Sequence, residues 1–126
     1  MLTLPCYAQE RFESGEFKGF TKSPTEHIIV RMDDPITVSA VRGIVVLAGG
    51  NSLQDVVFEI RGPGASERIR AAKFNNQGRF VISHVPEGTY TFKATKDAFQ
   101  SVVGTLIVSK KADHQKTIRI EMTVGV

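Results

Sequence analysis

From Asp55 onward the apolar residues of this chain recur with a period of two. Asp55 to Arg61 puts Val56, Phe58 and Ile60 on one side and Val57, Glu59 and Arg61 on the other. Arg79 to Val85 carries Phe80 and Ile82 inward, and Thr89 to Thr95 sets Tyr90, Phe92 and Ala94 against Thr91, Lys93 and Thr95. In Thr117 to Val124, Ile118, Ile120, Met122 and Val124 oppose Arg119, Glu121 and Thr123. Successive side chains of an extended strand point to opposite faces, so this period marks strands buried on one side. No stretch of roughly ten residues keeps the i, i+3, i+4 spacing of a helix.

Turns punctuate the strands. Gly49-Gly50-Asn51-Ser52, Gly62-Pro63-Gly64, Asn75-Asn76-Gln77-Gly78 and Pro86-Glu87-Gly88 are turn sequences. Ile36 to Leu47 reads as a Val- and Ile-rich strand with Gly43 marking a bend or bulge. Ile69 to Phe74 reads as a weaker strand, and Ser101 to Val108 as another. Seven or eight short strands, each with one apolar face, predict an all-β fold in which two antiparallel sheets pack face to face as a β-sandwich. The outward set Glu59, Arg61, Lys93, Arg119 and Glu121 is expected to form a solvated face, each cross-strand ion pair contributing under about 1 kcal/mol.

At 126 residues the chain accommodates one domain. It divides into residues 1–8, an arm over 9–35 and the sandwich domain over 36–126. Residues 1–8 end in small residues at Cys6 and Ala8 and resemble the tail of an export signal cleaved before Gln9, so a secreted or periplasmic, bacterial setting is expected. The arm carries six acids against four bases, with Phe12, Phe17 and Phe20 spaced by Gly15 and Gly19. It reads as an irregular segment lying on the domain through its phenylalanines. His27 to Met32 is a short strand ended by Asp33-Asp34-Pro35.

The run Asn76-Gln77-Gly78-Arg79-Phe80-Val81-Ile82-Ser83-His84-Val85-Pro86-Glu87-Gly88-Thr89-Tyr90-Thr91-Phe92 resembles the core motif of carboxypeptidase regulatory-like domains, the transthyretin- or prealbumin-like sandwich modules. Val41-Arg42-Gly43-Ile44-Val45 and Leu53 to Phe58 resemble that family's opening strand, turn and second strand, so the resemblance spans roughly residues 36–124. At Asp97-Ala98-Phe99 the family usually has Gly before the aromatic, and here Ala98 departs from it. The resemblance implies an Ig-like Greek-key scaffold in which Gly43, Gly78, Phe80, Ile82, Val85, Pro86, Gly88, Tyr90 and Phe92 are structural. Physically, Gly78 and Gly88 allow tight turns, Pro86 fixes the approach to the second, and Val85 reaches the core only if the chain bends before Pro86. Tyr90, expected in the core, needs a hydroxyl partner, and a backbone carbonyl at the sandwich corner is the expected one.

Chemistry-bearing patterns are few. The hydroxyisourate hydrolases, built on a related sandwich, end in Tyr-Arg-Gly-Ser, whereas this chain ends Thr123-Val124-Gly125-Val126. Intradiol dioxygenases hold iron with two Tyr and two His, whereas the tyrosines here are Tyr7 and Tyr90. A Lys–Asn cross-link near the last strand has no Asn after Asn76 to use. His27, His84 and His114 are far apart, and ordinary turn histidines outweigh a metal site, which needs three or four converging ligands. Asp33 and Asp34 read as a strand-ending turn before a weak calcium site. Ser83 and His84, as strand neighbours, point to opposite faces and make no nucleophile–base pair. Arg68, Arg70, Lys73 and Arg79 gather about one hairpin, read first as a solvated turn and second as a contact for an acidic partner or an anionic polysaccharide.

Catalytic, metal and cofactor sites are therefore expected to be absent. The expected role is that of a non-catalytic, exported structural or protein-interaction module, with an unknown protein partner or self-association through a sheet edge. The alternative is a carbohydrate-binding module, weakened by the absence of Trp and dependent on exposure of Phe12, Phe17, Phe20, Phe74 or Phe99. A net charge of +3 is low for nucleic-acid binding, where about 6–10 phosphate contacts are usual. No apolar run reaches the roughly 18 residues of a membrane-spanning helix.

Overall fold

Among the described residues the periodic segments form ten short strands: β1 (Ile29–Arg31), β2 (Ile36–Val38), β3 (Val41–Leu47), β4 (Val57–Arg61), β5 (Arg70–Ala71), β6 (Lys73–Phe74), β7 (Arg79–Ile82), β8 (Gly88–Thr95), β9 (Ser101–Val108) and β10 (Ile118–Met122). The computed structural model describes residues 17–24, 28–62 and 68–125. The expected export tail, Phe12 and His27 lie outside the described residues.

One sheet runs β1-β9-β8-β4-β5, with β2 also on β9, and the other runs β10-β3-β7-β6. β1 and β2 follow one another along the same edge, at Ser101–Val103 and Leu106–Val108 of β9. β5 and β6 are likewise one pass that changes sheet at Ala72, whose N–H donates to the Phe58 carbonyl at 2.8 Å. Counted this way the ten strands make eight passes of a two-layer β-sandwich. The expectation of wholly antiparallel sheets is corrected at both flanks: β1 and β2 run parallel to β9, and β10 runs parallel to β3. Residues 109–117 carry the chain from one sheet to the other after β9, so β10 enters beside β3 in the same direction, as a crossover connection requires.

The inward faces are those set by the alternation. Phe58, Ile60, Phe92, Ala94 and Leu106 from one sheet meet Val41, Val45, Phe80, Ile82, Ile118, Ile120 and Met122 from the other, all buried. A ladder of rings crosses the layers: Phe92 lies 5.6 Å from Phe58, Phe58 4.4 Å from Phe80, and Phe80 5.3 Å from Phe74. Such ring pairs add about 0.5–1.5 kcal/mol each to the burial of their surface. Val124, expected on the inward face, is 53% exposed. β10 ends at Met122, and the chain then leaves its sheet to bridge Val124 with Phe99.

The break expected at Gly43 falls instead at Ser39-Ala40, between β2 and β3, and β3 runs unbroken through Gly43. The glycine is there for space, since a Cβ at Gly43 would stand 2.0 Å from the carbonyl oxygen of Ile118 on β10. Gly78 has φ 78°, the left-handed region open to glycine, and closes the β6–β7 turn. There the Asn75 side chain accepts the N–H groups of Gln77 and Arg79. His84 bends the chain with φ 58°, and that bend lets Val85 pack on the core before Pro86 and before Gly88 opens β8. Tyr90 is half-buried, and its hydroxyl donates to the Pro86 carbonyl at 2.7 Å, the corner bond expected from the sequence.

Ala98, where the resembled family has Gly, adopts φ 70°. An L-residue in the left-handed region costs about 1–2 kcal/mol, and the extra freedom of glycine in the unfolded chain offsets about 0.4–1 kcal/mol of that. Ala98→Gly is thus expected to stabilise the fold by about 0.5–1 kcal/mol in chemical denaturation. A destabilised variant would refute the assignment of strain to this turn.

Candidate functional site

The two outward faces differ. On the β1-β9-β8-β4-β5 sheet, residues 17–24 lie across the strands. Phe17 and Phe20 are 5% and 7% exposed and pack with Val103, Ile29 and Ile69. The guanidinium of Arg61 stands 4.9 Å from the Phe20 ring and donates to the Lys18 carbonyl, and Arg31 stands 5.5 Å from the Phe17 ring. Glu59 receives both the N–H and the hydroxyl of Thr21, at 2.9 and 3.0 Å, and Ser23 donates to Asp97 at 3.0 Å. The solvated face expected here is therefore corrected. Glu59 and Lys93, register partners on β4 and β8, are only 7% and 3% exposed beneath the arm. Burying a carboxylate demands hydrogen bonds, and Thr21 supplies two.

Among the described residues the arm does not cover the face of β10-β3-β7-β6, where, apart from Val46, buried beside its bridge to Ser52, the outward side chains are half-buried or exposed. Lys73 on β6, Val81 on β7 and Arg42 on β3 fall in one row of the register, and Arg79 lies two residues from Val81 along β7. Val81 is 45% exposed. These four side chains, with Asn75 and Thr117, line a shallow groove of about 400 Å³. Arg42 donates to the His114 carbonyl at 2.7 Å, and no carboxylate among the described residues pairs with Lys73 or Arg79. Beside the groove, Arg119 and Glu121 are exposed as expected, but their 3.7 Å pair runs along β10 rather than across strands.

The hairpin cluster predicted from sequence is divided by this arrangement. Lys73 and Arg79 belong to the groove, whereas Arg70 sits on the other sheet and donates to the carbonyls of Ser83 and His84 at 2.5 and 3.2 Å. Arg68 is exposed beside it. Arg42, the third cation of the groove, was not singled out by the sequence pattern. Its neighbours in the groove come from strands 31 and 39 residues further on.

A second concavity, about 510 Å³, lies where the arm meets the ends of β4 and β8 and is lined by Thr21, Ser23, Asp55, Thr95, Lys96 and Asp97. Its polar groups hold the scaffold: Ser23 to Asp97, Thr95 to the Thr21 carbonyl at 3.4 Å, and Lys96 to the Gln54 carbonyl at 2.8 Å. The His114 ring meets the Ser39 hydroxyl at 3.2 Å, and among the described residues no group orients the other ring nitrogen as a hydroxyl-activating base requires. Asp33 and Asp34 are exposed at their bend, and no three His, Cys, Asp or Glu side chains among the described residues converge to hold a metal ion. No helix among the described residues is long and apolar enough to cross a membrane.

No protein-family model matches the chain, and no curated protein matches it. Among solved structures it is similar to chlorocatechol 1,2-dioxygenase from Pseudomonas putida, with a TM-score of 0.50 and 11% identity over 96% of this chain and 78% of that one. At that identity the likeness speaks to the fold alone.

Proposed function

We propose that this protein is a non-catalytic interaction module of the carboxypeptidase regulatory-like type, exported by a bacterium, which meets a protein partner through the outward face of β10-β3-β7-β6. The observation that carries this reading is the contrast between the faces. One is roofed by the chain's own arm, and the other presents Arg42, Lys73, Arg79 and Val81 uncovered among the described residues. Val81 set among Arg42, Lys73 and Arg79 offers a partner one apolar contact ringed by cations.

The family assignment draws support from the positions of its motif: Phe80, Ile82 and Phe92 in the core, Tyr90 tied to Pro86, and a left-handed residue at Ala98. Chemistry like that of the dioxygenase finds no support in the described residues. The Tyr90 hydroxyl is engaged by Pro86, and His84 and His114 stand in separate turns. A carbohydrate platform is likewise poorly supported, because Phe17 and Phe20 are buried and Phe74 and Phe99 are half-buried against the core. Self-association through a sheet edge has little edge to use among the described residues. β5 and β6 have two residues each, β1 and β2 three, and β10 five.

The test is a photo-crosslinking residue at Val81, with one at exposed Lys111 as control, in the full chain made by its own bacterium. A discrete protein adduct formed at Val81 and not at Lys111, on a chain exported and starting at Gln9, is expected. Adducts at neither site, or equally at both, would end the contact-face reading, and a cytosolic chain starting at Met1 would end the export reading.

A further inference from the structure

We infer that the groove on β10-β3-β7-β6 takes an acidic peptide segment of its partner in which an apolar side chain stands between carboxylates. This rests on the contact-face reading above and adds the chemistry of what is bound. The groove orders its side chains as cation, apolar, cation: Lys73, Val81 and Arg42 lie side by side on three adjacent strands. With strands about 4.8 Å apart, the two cations stand roughly 10 Å from one another at the backbone. Side chains i, i+2 and i+4 of an extended peptide share one face and span about 13 Å. The flexible stems of Lys and Arg cover the difference, so an acid–x–apolar–x–acid segment places its ends on Lys73 and Arg42 and its middle on Val81. Arg79, one pleat away on the middle strand, adds its charge to the flanking carboxylates.

The charge of the groove is unbalanced in a way that asks for such a ligand. Arg42, Lys73 and Arg79 all line it, while Lys73 and Arg79 have no carboxylate partner among the described residues. Arg42 uses one nitrogen on the His114 carbonyl and keeps further N–H groups for a carboxylate. An anionic polysaccharide satisfies the cations but leaves Val81 against hydroxyl groups, and the aromatic rings of the described residues are all buried or half-buried. The exposed valine therefore favours a polypeptide.

The test titrates the full chain with the blocked peptide Glu-Ser-Leu-Ser-Glu-Ser-Glu, followed by amide chemical shifts and by calorimetry. Its Gln-for-Glu counterpart and an oligogalacturonate serve as comparison probes. Expected are shifts centred on Val81, affinity that falls as salt is raised, and weakening by about tenfold or more in Lys73→Glu/Arg79→Glu, since two exposed attractions become repulsions. The replaced side chains are exposed, so an unchanged melting temperature accompanies the loss, and Val81→Ser weakens binding with the charges intact. Equal binding of the Gln peptide, tighter binding of the oligogalacturonate, or an affinity indifferent to Lys73→Glu/Arg79→Glu overturns the inference. If a Val81 crosslink persists in any of those cases, the contact face stands and the acidic-peptide chemistry falls alone.

Discussion

Gly43→Ala is expected to lower the stability of the fold by about 3 kcal/mol or more, at the upper end of what overpacking costs. The added carbon would stand 2.0 Å from the Ile118 carbonyl oxygen, well inside contact distance. That oxygen is backbone, held in the parallel ladder in which Ile118 to Met122 pair with Gly43 to Leu47, so no rotamer change removes the clash. β10 must shift, and with it Ile118, Ile120 and Met122, each fully buried. A domain of this size should then melt roughly 10 °C lower. A melting temperature within about 2 °C of the parent would show that β10 is not seated against β3 at this point.

Phe92→Ala is expected to cost about 3–5 kcal/mol in chemical denaturation. Phe92 is fully buried and ends the ladder of rings through Phe58 and Phe80 to Phe74. Its ring also lies over Gly104, its register partner on β9, where a Cβ would come within 2.8 Å of it. Truncation empties a space bordered by backbone on one side and by packed rings on the other, and neither collapses readily. A loss below about 1 kcal/mol would mean that the inward face of β8 has been misassigned.

Both residues show what could be read in advance and what could not. The alternation of Phe58, Phe80, Phe92 and Ile120 announced the core face because burial on a strand has a local period. The place of Gly43 did not follow from its neighbours, because the atom it makes room for belongs to Ile118, 75 residues later. Glu59 and Lys93 read as solvated for a similar reason: polarity shows which face is not core, but not whether another segment covers it. Phe17 and Phe20 held that information, yet nothing in the sequence said on which sheet they would land. The groove was legible only in pieces. Lys73 and Arg79 read as part of a hairpin cluster, whereas Arg42 and Val81 join them only once three strands are in register. The bend that Val85 needs before Pro86 is supplied by the φ of 58° at His84.

The links at Ser39-Ala40 and at Ala72 have a mechanical consequence. At each the chain steps from one sheet to the other within one or two residues, near opposite flanks of the sandwich. The layers are stitched along both seams, so neither can peel or slide off while its mate stays intact. Parting the layers would first have to break the short ladders that hold β2 to β9 and β5 to β4.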